Sequence, residues 1–257
     1  SPMKLRWGHE RKAFVSSFCC PPNLARTIAE VSRYAYSKSD DAIWVNLYGG
    51  NRLETDLGGG KLVLLQQTEY PWNGRVQFSF QKCPEKEFTV RLRVPGWAER
   101  TGLRINGRLV DAPITTNGFM ALRREWRTGD VIELAFPMPV RLLEANPIVE
   151  ETLNQIAVKR GPLVFCLEST DLPRGVHLTD INLSADADLV ARFDSRLLGG
   201  VVCLEGTGWV RPSPDWDKAL YRPLSSAPSK PVKLQFIPYY TWGNRGKSDM
   251  SVWIPLR

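Results

Sequence analysis

The chain has 257 residues, of which 43% are hydrophobic and 24% are charged, a composition typical of a folded protein with one large or two small domains. This composition excludes a mostly disordered chain. The uninterrupted apolar runs are only a few residues long, far short of the roughly 20 that a spanning helix needs, so we expect no membrane-spanning segment. The cysteine count of five is odd, which argues against a fully paired disulfide framework.

The net charge of +7 is concentrated at the start of the chain. Residues 1–39 contain seven Lys or Arg and two acidic residues, whereas the remainder contains 27 basic and 25 acidic residues. Proteins that bind nucleic acid present a basic surface, often with interleaved aromatic residues, and no such stripe follows residue 39. We therefore expect no nucleic-acid partner. A basic leader of this kind equally suits an acidic partner or another part of the same protein.

The first predicted element is an amphipathic helix that starts at Pro21 and Pro22. Proline suits the first turn of a helix, because the N–H that it lacks would have no partner there. Turn residues at 39–41 end the segment. The apolar residues that recur at helical spacing are Leu24, Ile28, Val31 and Ala35.

Short runs of β-branched and aromatic residues, separated by Gly, Pro and Asn, follow this helix. They predict strands at 42–48, 61–67, 75–81, 87–94, 103–105, 119–122 and 131–136. Their regular spacing is typical of a β-sandwich. Asn106-Gly107 indicates a two-residue hairpin turn, because both central residues of a type I′ turn need positive φ.

A second set of strands follows the Pro-containing stretch 137–147. These strands are predicted at 155–159, 163–167, 201–204 and 232–237. Segments 170–198 and 207–231 lack a clean period and are predicted to be long loops.

The predicted fold class is mainly β: a β-sandwich and a second β-domain, preceded by a helical segment. We place the helical segment at 1–39, the sandwich at 40–140 and the second β-domain at 141–245. We expect the last segment, 246–257, to return to the sandwich and complete it.

Adjacent thiols at the predicted helix start, Cys19 and Cys20, are the strongest candidates for chemistry. The positive end of a helix dipole and unpaired N–H groups favour the thiolate, the form that attacks carbon and binds metal. Two thiolates supply half of a tetrahedral zinc site, and neither His9 nor His177 stands at a recognisable ligand spacing. From the residues alone, two buried structural thiols are an equal alternative. The other cysteines are predicted to be buried small apolar residues: Cys83, Cys166 and Cys203.

Several short motifs are spread in order along the whole chain. They are CCPPNLAR at 19–26, preceded by 1–3 and 9–11, then VNLY at 45–48, TEYPWNG at 68–74, VKRGPLV at 158–164, PYYTWGNRG at 238–246 and the pair at 252–253. Together they resemble the bacterial β-L-arabinofuranosidase family. Each motif alone would be weak, but the common order makes the resemblance specific.

The resemblance implies a retaining glycoside hydrolase with an N-terminal (α/α)6 barrel followed by β-domains, in which a zinc-bound cysteine thiolate replaces the usual carboxylate nucleophile. It implies that Cys19 is the catalytic nucleophile and a zinc ligand, and that Cys20 is a zinc ligand. The family's other zinc ligands, a glutamate and a cysteine, and its acid/base glutamate lie upstream of the matched segment. Residues 1–39 would then be the C-terminal remnant of the barrel. The family usually has a further cysteine where this chain has Ser17.

The implied function is the release of L-arabinofuranose from β-L-arabinofuranosides of plant glycans or glycoproteins, by a protein of which this chain is the C-terminal part. The expected cofactor is zinc. The expected partners are an arabinofuranosyl oligosaccharide or glycoprotein glycan and the missing N-terminal barrel. The alternative is a non-catalytic β-module that supports the barrel or binds carbohydrate. The first residues lack the apolar core of a secretory signal, and the bacterial cytoplasm and the periplasm both stay open as compartments.

Overall fold

The computed structural model describes residues 9–211, 220, 221, 223 and 228–257. The motif at 1–3 lies outside these ranges. So do most residues of the predicted loop 207–231, namely 212–219, 222 and 224–227. The chain divides into two compact units. We call residues 14–138 the middle unit, and residues 139–257 with 9–13 the C-terminal unit. Within the described ranges, no helix is both long and apolar enough to cross a membrane.

The predicted helix is present as α1 (Cys20–Glu30), and every one of its residues is exposed. It ends earlier than the apolar pattern indicates, because a 3-10 turn (Val31–Tyr34) follows it. The carbonyl of Ala35 then accepts the N–H of Asn46, which draws the chain into a sheet. The next residues form a strand, Tyr36–Lys38, so the predicted end of the helical segment at residue 39 is wrong.

The middle unit is a β-sandwich of two sheets around one core. Its strands are β1 (Tyr36–Lys38), β2 (Ala42–Val45), β3 (Asn51–Leu57), β4 (Gly60–Thr68), β5 (Arg75–Lys82), β6 (Phe88–Arg93), β7 (Gly102–Ile105), β8 (Arg108–Leu109), β9 (Phe119–Arg124) and β10 (Val131–Ala135). The first sheet has the order β1-β2-β6-β9 and the second the order β3-β4-β5-β10-β7-β8. Buried side chains of both sheets share the core, among them Ile43 and Val90 from the first and Phe78 and Ile132 from the second.

Strand β3 is absent from the sequence prediction. Its residues alternate in exposure, and the exposed ones are charged. Arg52 and Lys61 both pair with the carboxylate of Glu54 on the surface of the β3 and β4 hairpin. Edge strands of this kind carry few apolar residues, which is why the pattern gave no strand signal.

The predicted hairpin turn is confirmed between β7 and β8. Asn106 and Gly107 have φ values of 51° and 76°, as a type I′ turn requires. The Asn106 side chain also donates to Asp130 Oδ1 at 2.8 Å and accepts the N–H of Val131 at 2.8 Å. The turn is therefore tied to the start of β10, the strand beside β7.

Replacing Gly107 with alanine should lower the free energy of unfolding by about 1–2 kcal/mol, the cost of a left-handed conformation in an L-residue. The matched control is Gly96→Ala, because an added Cβ has open space at both positions and only Gly107 has positive φ. Urea denaturation of both variants measures the difference. Equal stabilities would contradict the assigned turn.

The C-terminal unit is built on one large antiparallel arrangement. Its strands are β11 (Val140–Glu144), β12 (Gln155–Arg160), β13 (Leu163–Glu168), β14 (Ile181–Asn182), β15 (Val190–Asp194), β16 (Val201–Val210), β17 (Lys230–Pro238), β18 (Met250–Ser251) and β19 (Trp253–Pro255). The main path runs β11-β12-β13-β17-β16-β14, and β15 pairs with β16. Short 3-10 turns lie at Glu150–Thr152, Ser169–Asp171, Leu178–Asp180 and Tyr239–Thr241. The segment 170–198, predicted to be a loop, contains the two strands β14 and β15.

The expectation that residues 246–257 complete the sandwich is wrong. Strand β19 pairs with β12, where Ile254 lies opposite Ile156, and β18 pairs with β13. The physical reason is burial, because Ile254 is fully buried in the apolar core of the C-terminal unit. The division between the units falls between residues 138 and 139, beside the boundary placed near residue 140.

A charged cluster fastens the loop after β17 to the end of β13. The Arg245 guanidinium pairs with Asp171 and with Glu168, whose side chain is fully buried. The other oxygen of Glu168 accepts the N–H of Gly243 at 2.8 Å. Hydrogen bonds from Arg245 to Asp171 and Glu168 raise the pKa of the guanidinium above its ordinary value. One guanidinium thus serves two carboxylates, and the buried Glu168 has its charged partner within the C-terminal unit.

Substituting Arg245 with methionine should destabilise the C-terminal unit by about 3–5 kcal/mol, because the buried Glu168 carboxylate would lose its partner. The control is Arg192→Met, which removes an exposed ion pair with Glu205 and should cost at most about 1 kcal/mol. Thermal unfolding followed by circular dichroism compares the two. Similar losses in both variants would argue against the cluster as an anchor.

Candidate functional site

The structure brings Cys19 and Cys20 together at the start of α1. Their Sγ atoms are 3.4 Å apart and both side chains are exposed. The Cys19 carbonyl accepts the N–H of Asn23 at 3.1 Å, so Cys19 is the residue from which the helix begins. The alternative of two buried structural thiols is therefore not what the described residues show.

A hydroxyl that sequence reasoning gave no role lies against the Cys19 sulfur. Ser17 Oγ is 3.3 Å from Cys19 Sγ. Hydrogen bonds from Ser17 first, then from Cys20 and nearby backbone N–H groups, lower the pKa of Cys19 below its ordinary value. Pro21 and Pro22 have no N–H to contribute, so the polar side chains around the sulfur matter more than the helix start alone would suggest.

The thiol pair fits two corners of a tetrahedral zinc site. Zinc–sulfur bonds of about 2.3 Å at the tetrahedral angle place two ligand sulfurs about 3.8 Å apart, close to the separation of the Cys19 and Cys20 Sγ atoms. Across the described ranges, no group of three or more His, Cys, Asp or Glu could hold a metal. Among the described residues, the thiol pair could therefore supply at most two of the four ligands of a tetrahedral zinc ion.

The histidines do not join the thiols in any such group. The His9 ring pairs with the carboxylate of Asp249, and the His9 carbonyl accepts the N–H of Ser248, both inside the C-terminal unit. His177 is exposed and precedes the 3-10 turn at Leu178–Asp180. The described contacts of both histidines lie within the C-terminal unit.

The three remaining cysteines have environments unlike that of Cys19. Cys166 and Cys203 are buried, as predicted, and Cys83 is half-buried. Burial raises the pKa of Cys166 to about 12 and the pKa values of Cys203 and Cys83 to about 11. These thiols stay protonated near neutral pH and are unsuited to nucleophilic attack.

Family models match both units. The model described as "Beta-L-arabinofuranosidase, GH127 middle domain" matches residues 42–138, and the model described as "Glycoside hydrolase family 127 C-terminal domain" matches residues 140–255. The chain belongs to glycoside hydrolase family 127. It carries the middle and C-terminal domains of that family, and the resemblance inferred from the motifs is confirmed.

Similar proteins of family 127 are longer than this chain. The non-reducing end β-L-arabinofuranosidase of Bifidobacterium longum subsp. longum is 33% identical over 245 residues, a match that covers 91% of this chain and 36% of that protein. The chain thus spans little more than a third of this curated relative.

Solved structures agree with the fold. A family 127 β-L-arabinofuranosidase from Geobacillus stearothermophilus T6 has 39% identity and a TM-score of 0.89, with 97% of this chain and 39% of that chain covered. A second structure, titled a glycoside hydrolase, has 43% identity and a TM-score of 0.91, with 99% and 42% covered. The prediction of a mainly β chain after a helical segment is confirmed.

Alkylation should distinguish Cys19 from the buried thiols. The rate follows the thiolate fraction, so labelling by iodoacetamide rises with pH through each pKa, and the midpoint for Cys19 should lie below that of an ordinary exposed thiol. Ser17→Ala should move the midpoint for Cys19 upward, because the hydroxyl no longer stabilises the thiolate. Mass spectrometry with fragmentation locates the label. An unchanged midpoint in Ser17→Ala would remove the role given to that hydroxyl.

Proposed function

We propose that this family 127 chain is the C-terminal part of a retaining glycoside hydrolase that releases L-arabinofuranose from β-L-arabinofuranosides of plant glycans or glycoproteins. The observation that carries the proposal is the exposed thiol pair at the start of α1, with Ser17 against the Cys19 sulfur. Relatives that match nearly the whole chain are named β-L-arabinofuranosidases, which supports the substrate class.

Cys19 is the proposed nucleophile. Its thiolate attacks the anomeric carbon, a C–S bond forms as the glycosidic C–O bond breaks, and the leaving oxygen takes a proton from an acid in the upstream part of the protein. Water then gives a proton to the conjugate base of that acid and attacks the same carbon, the C–S bond breaks and the thiolate is restored. Two inversions at one carbon give net retention, with the thioglycosyl intermediate in place of a glycosyl ester.

Cys19 and Cys20 are the proposed zinc ligands of this chain. A bound zinc ion would supply positive charge that keeps coordinating thiols deprotonated. Cys20 would position the site rather than react, and the Ser17 hydroxyl would hold the Cys19 sulfur by hydrogen bonding. The remaining ligands must come from outside the described residues.

The surface around the thiols supports a covering part upstream. Phe14 and Phe18 are 81% and 95% exposed, and Leu24 and Ile28 on α1 are 62% and 65% exposed. Soluble proteins rarely leave so many large apolar side chains uncovered in one short segment. We infer that the N-terminal barrel of the same protein covers this segment and contributes the acid and the other ligands.

The alternative function is that of a non-catalytic β-module that supports the barrel or binds carbohydrate. The half-complete ligand set among the described residues favours it for the 257 residues taken alone. The two functions are compatible, because a supporting module can carry the nucleophile of a site that another part completes.

In a protein that includes the upstream barrel, Cys19→Ser should lower kcat for a β-L-arabinofuranoside by roughly 10⁴-fold or more, as loss of a nucleophile does. Cys83→Ser is the control and should leave kcat within a few-fold, because that thiol is half-buried and plays no part in the proposed chemistry. Intact turnover in Cys19→Ser would falsify the proposal.

Metal analysis tests the ligand assignment separately. We expect about one zinc ion per molecule of the barrel-containing protein, lost when Cys19 and Cys20 are both changed to serine. Zinc content that is unchanged in the double variant would show that other residues hold the metal.

A further inference from the structure

A groove of about 790 Å³ lies on the outer face of the second sheet of the middle unit. Its volume falls within the roughly 300–1,000 Å³ typical of pockets for small ligands. Outward residues of β4, β5, β7 and β10 line it, together with residues of the loop 69–73. The groove is formed entirely within the middle unit.

One row of side chains crosses the groove from strand to strand. Each member stands directly opposite the next in the sheet register. In order the row is Gln67, Gln77, Glu133, Arg104 and Leu109. Directly opposite residues have Cβ atoms about 4.5–5.5 Å apart, so the row is a nearly continuous line of amide, carboxylate and guanidinium groups. It ends at Leu109, whose side chain is 74% exposed.

Small residues make room beside this row. Ala135 stands opposite Arg75 on one side and Gly102 on the other. Gly102 has no side chain and Ala135 has only a methyl group, and a Cβ added at Gly102 would lie 3.5 Å from the Ala135 Cβ, so the two neighbouring positions leave room for a ligand above them. Gly102 and Ala135 therefore form the bottom of a depression, and the polar side chains of the row form its edge.

Three polar side chains of the groove lack protein partners. Among the described residues, the side chains of Gln67, Arg75 and Glu133 make no hydrogen bond or ion pair. Glu133 is half-buried, and a carboxylate in that setting gains from a hydroxyl that donates to it. By contrast, Glu69 accepts a bond from Asn73 at 2.6 Å and is already engaged.

The charges of the lining favour a neutral ligand with many hydroxyl groups. Arg75 and Arg104 are balanced by Glu69 and Glu133, so the groove has no net charge to attract an anion. Cores of protein interfaces are depleted of charged residues, which argues against a protein as the occupant. Alternating donors and acceptors, beside one exposed apolar side chain, match the hydroxyl edges and C–H faces of a sugar chain.

We propose that this groove binds a short neutral oligosaccharide, with Glu133 accepting and Arg75 donating hydrogen bonds to its hydroxyl groups. The site goes beyond the proposed hydrolysis and does not rest on Cys19. The proposed substrate class of the hydrolase is used only to choose arabino-oligosaccharides as the first ligands to test. A second sugar site on the middle unit would hold the protein on a glycan through contacts that take no part in bond cleavage.

Titration of the 257-residue chain with short arabino-oligosaccharides and short xylo-oligosaccharides, followed by calorimetry, tests the site. We expect saturable binding with little dependence on salt. Ala135→Phe should abolish it by filling the depression, and Glu133→Ala should weaken it about tenfold, the loss of one hydrogen bond to a charged group. Matched controls are Ala191→Phe, on the exposed strand β15, and Glu85→Ala, an exposed residue away from the groove. Both controls should bind as the unchanged chain does.

Circular dichroism of each variant separates loss of binding from loss of fold. Absence of saturable binding to either sugar series, or binding that survives Ala135→Phe in a folded protein, would overturn the proposal. Failure to bind sugar, together with self-association or barrel binding that Ala135→Phe blocks, would identify a protein interface instead. Cys19→Ser should leave sugar binding unchanged, so failure of the hydrolase proposal and failure of this one are distinguishable.

Discussion

Strands of the middle unit send alternate side chains into one shared core, and the rest of that unit depends on this alternation. On β5, Val76 and Phe78 are buried while Arg75 and Gln77 face outward. Because the side-chain period of a strand is two, a slip of one residue would expose the buried set and bury the polar one. The core therefore fixes the register, and the register fixes which polar groups line the groove on the outer face.

Helix α1, unlike the strands of the middle unit, packs no side chain into a core. It buries none of its 11 residues, and helices below about 12–15 residues are marginal without tertiary packing. The thiols that we propose as nucleophile and ligands lie at its start, so the proposed N-terminal barrel, by covering Phe18 and the helix, would also hold Cys19 in place. In contrast, the C-terminal unit compensates its buried Glu168 internally, through Arg245.

Local signals were sufficient for several features. The start of α1, the turn at Asn106-Gly107 and the burial of Cys166 each follow from a few neighbouring residues, and the structure agrees with them. Features that depend on distant partners were missed or misplaced. Strand β3 is polar because it lies at a sheet edge, and the last strand joined β12 because the side chain of Ile254 completes a core that no local pattern identifies.

The candidate site divides in the same way. The sequence by itself determined that two adjacent thiols lie at the start of a helix and that the chain resembles family 127, because both are properties of contiguous residues. Only the tertiary structure decided that Ser17 lies against the Cys19 sulfur and that the His9 ring pairs with Asp249. Only sheet register placed Glu133 between Gln77 and Arg104. Pairing between strands sets these contacts, and the order of residues along one strand does not encode its neighbours.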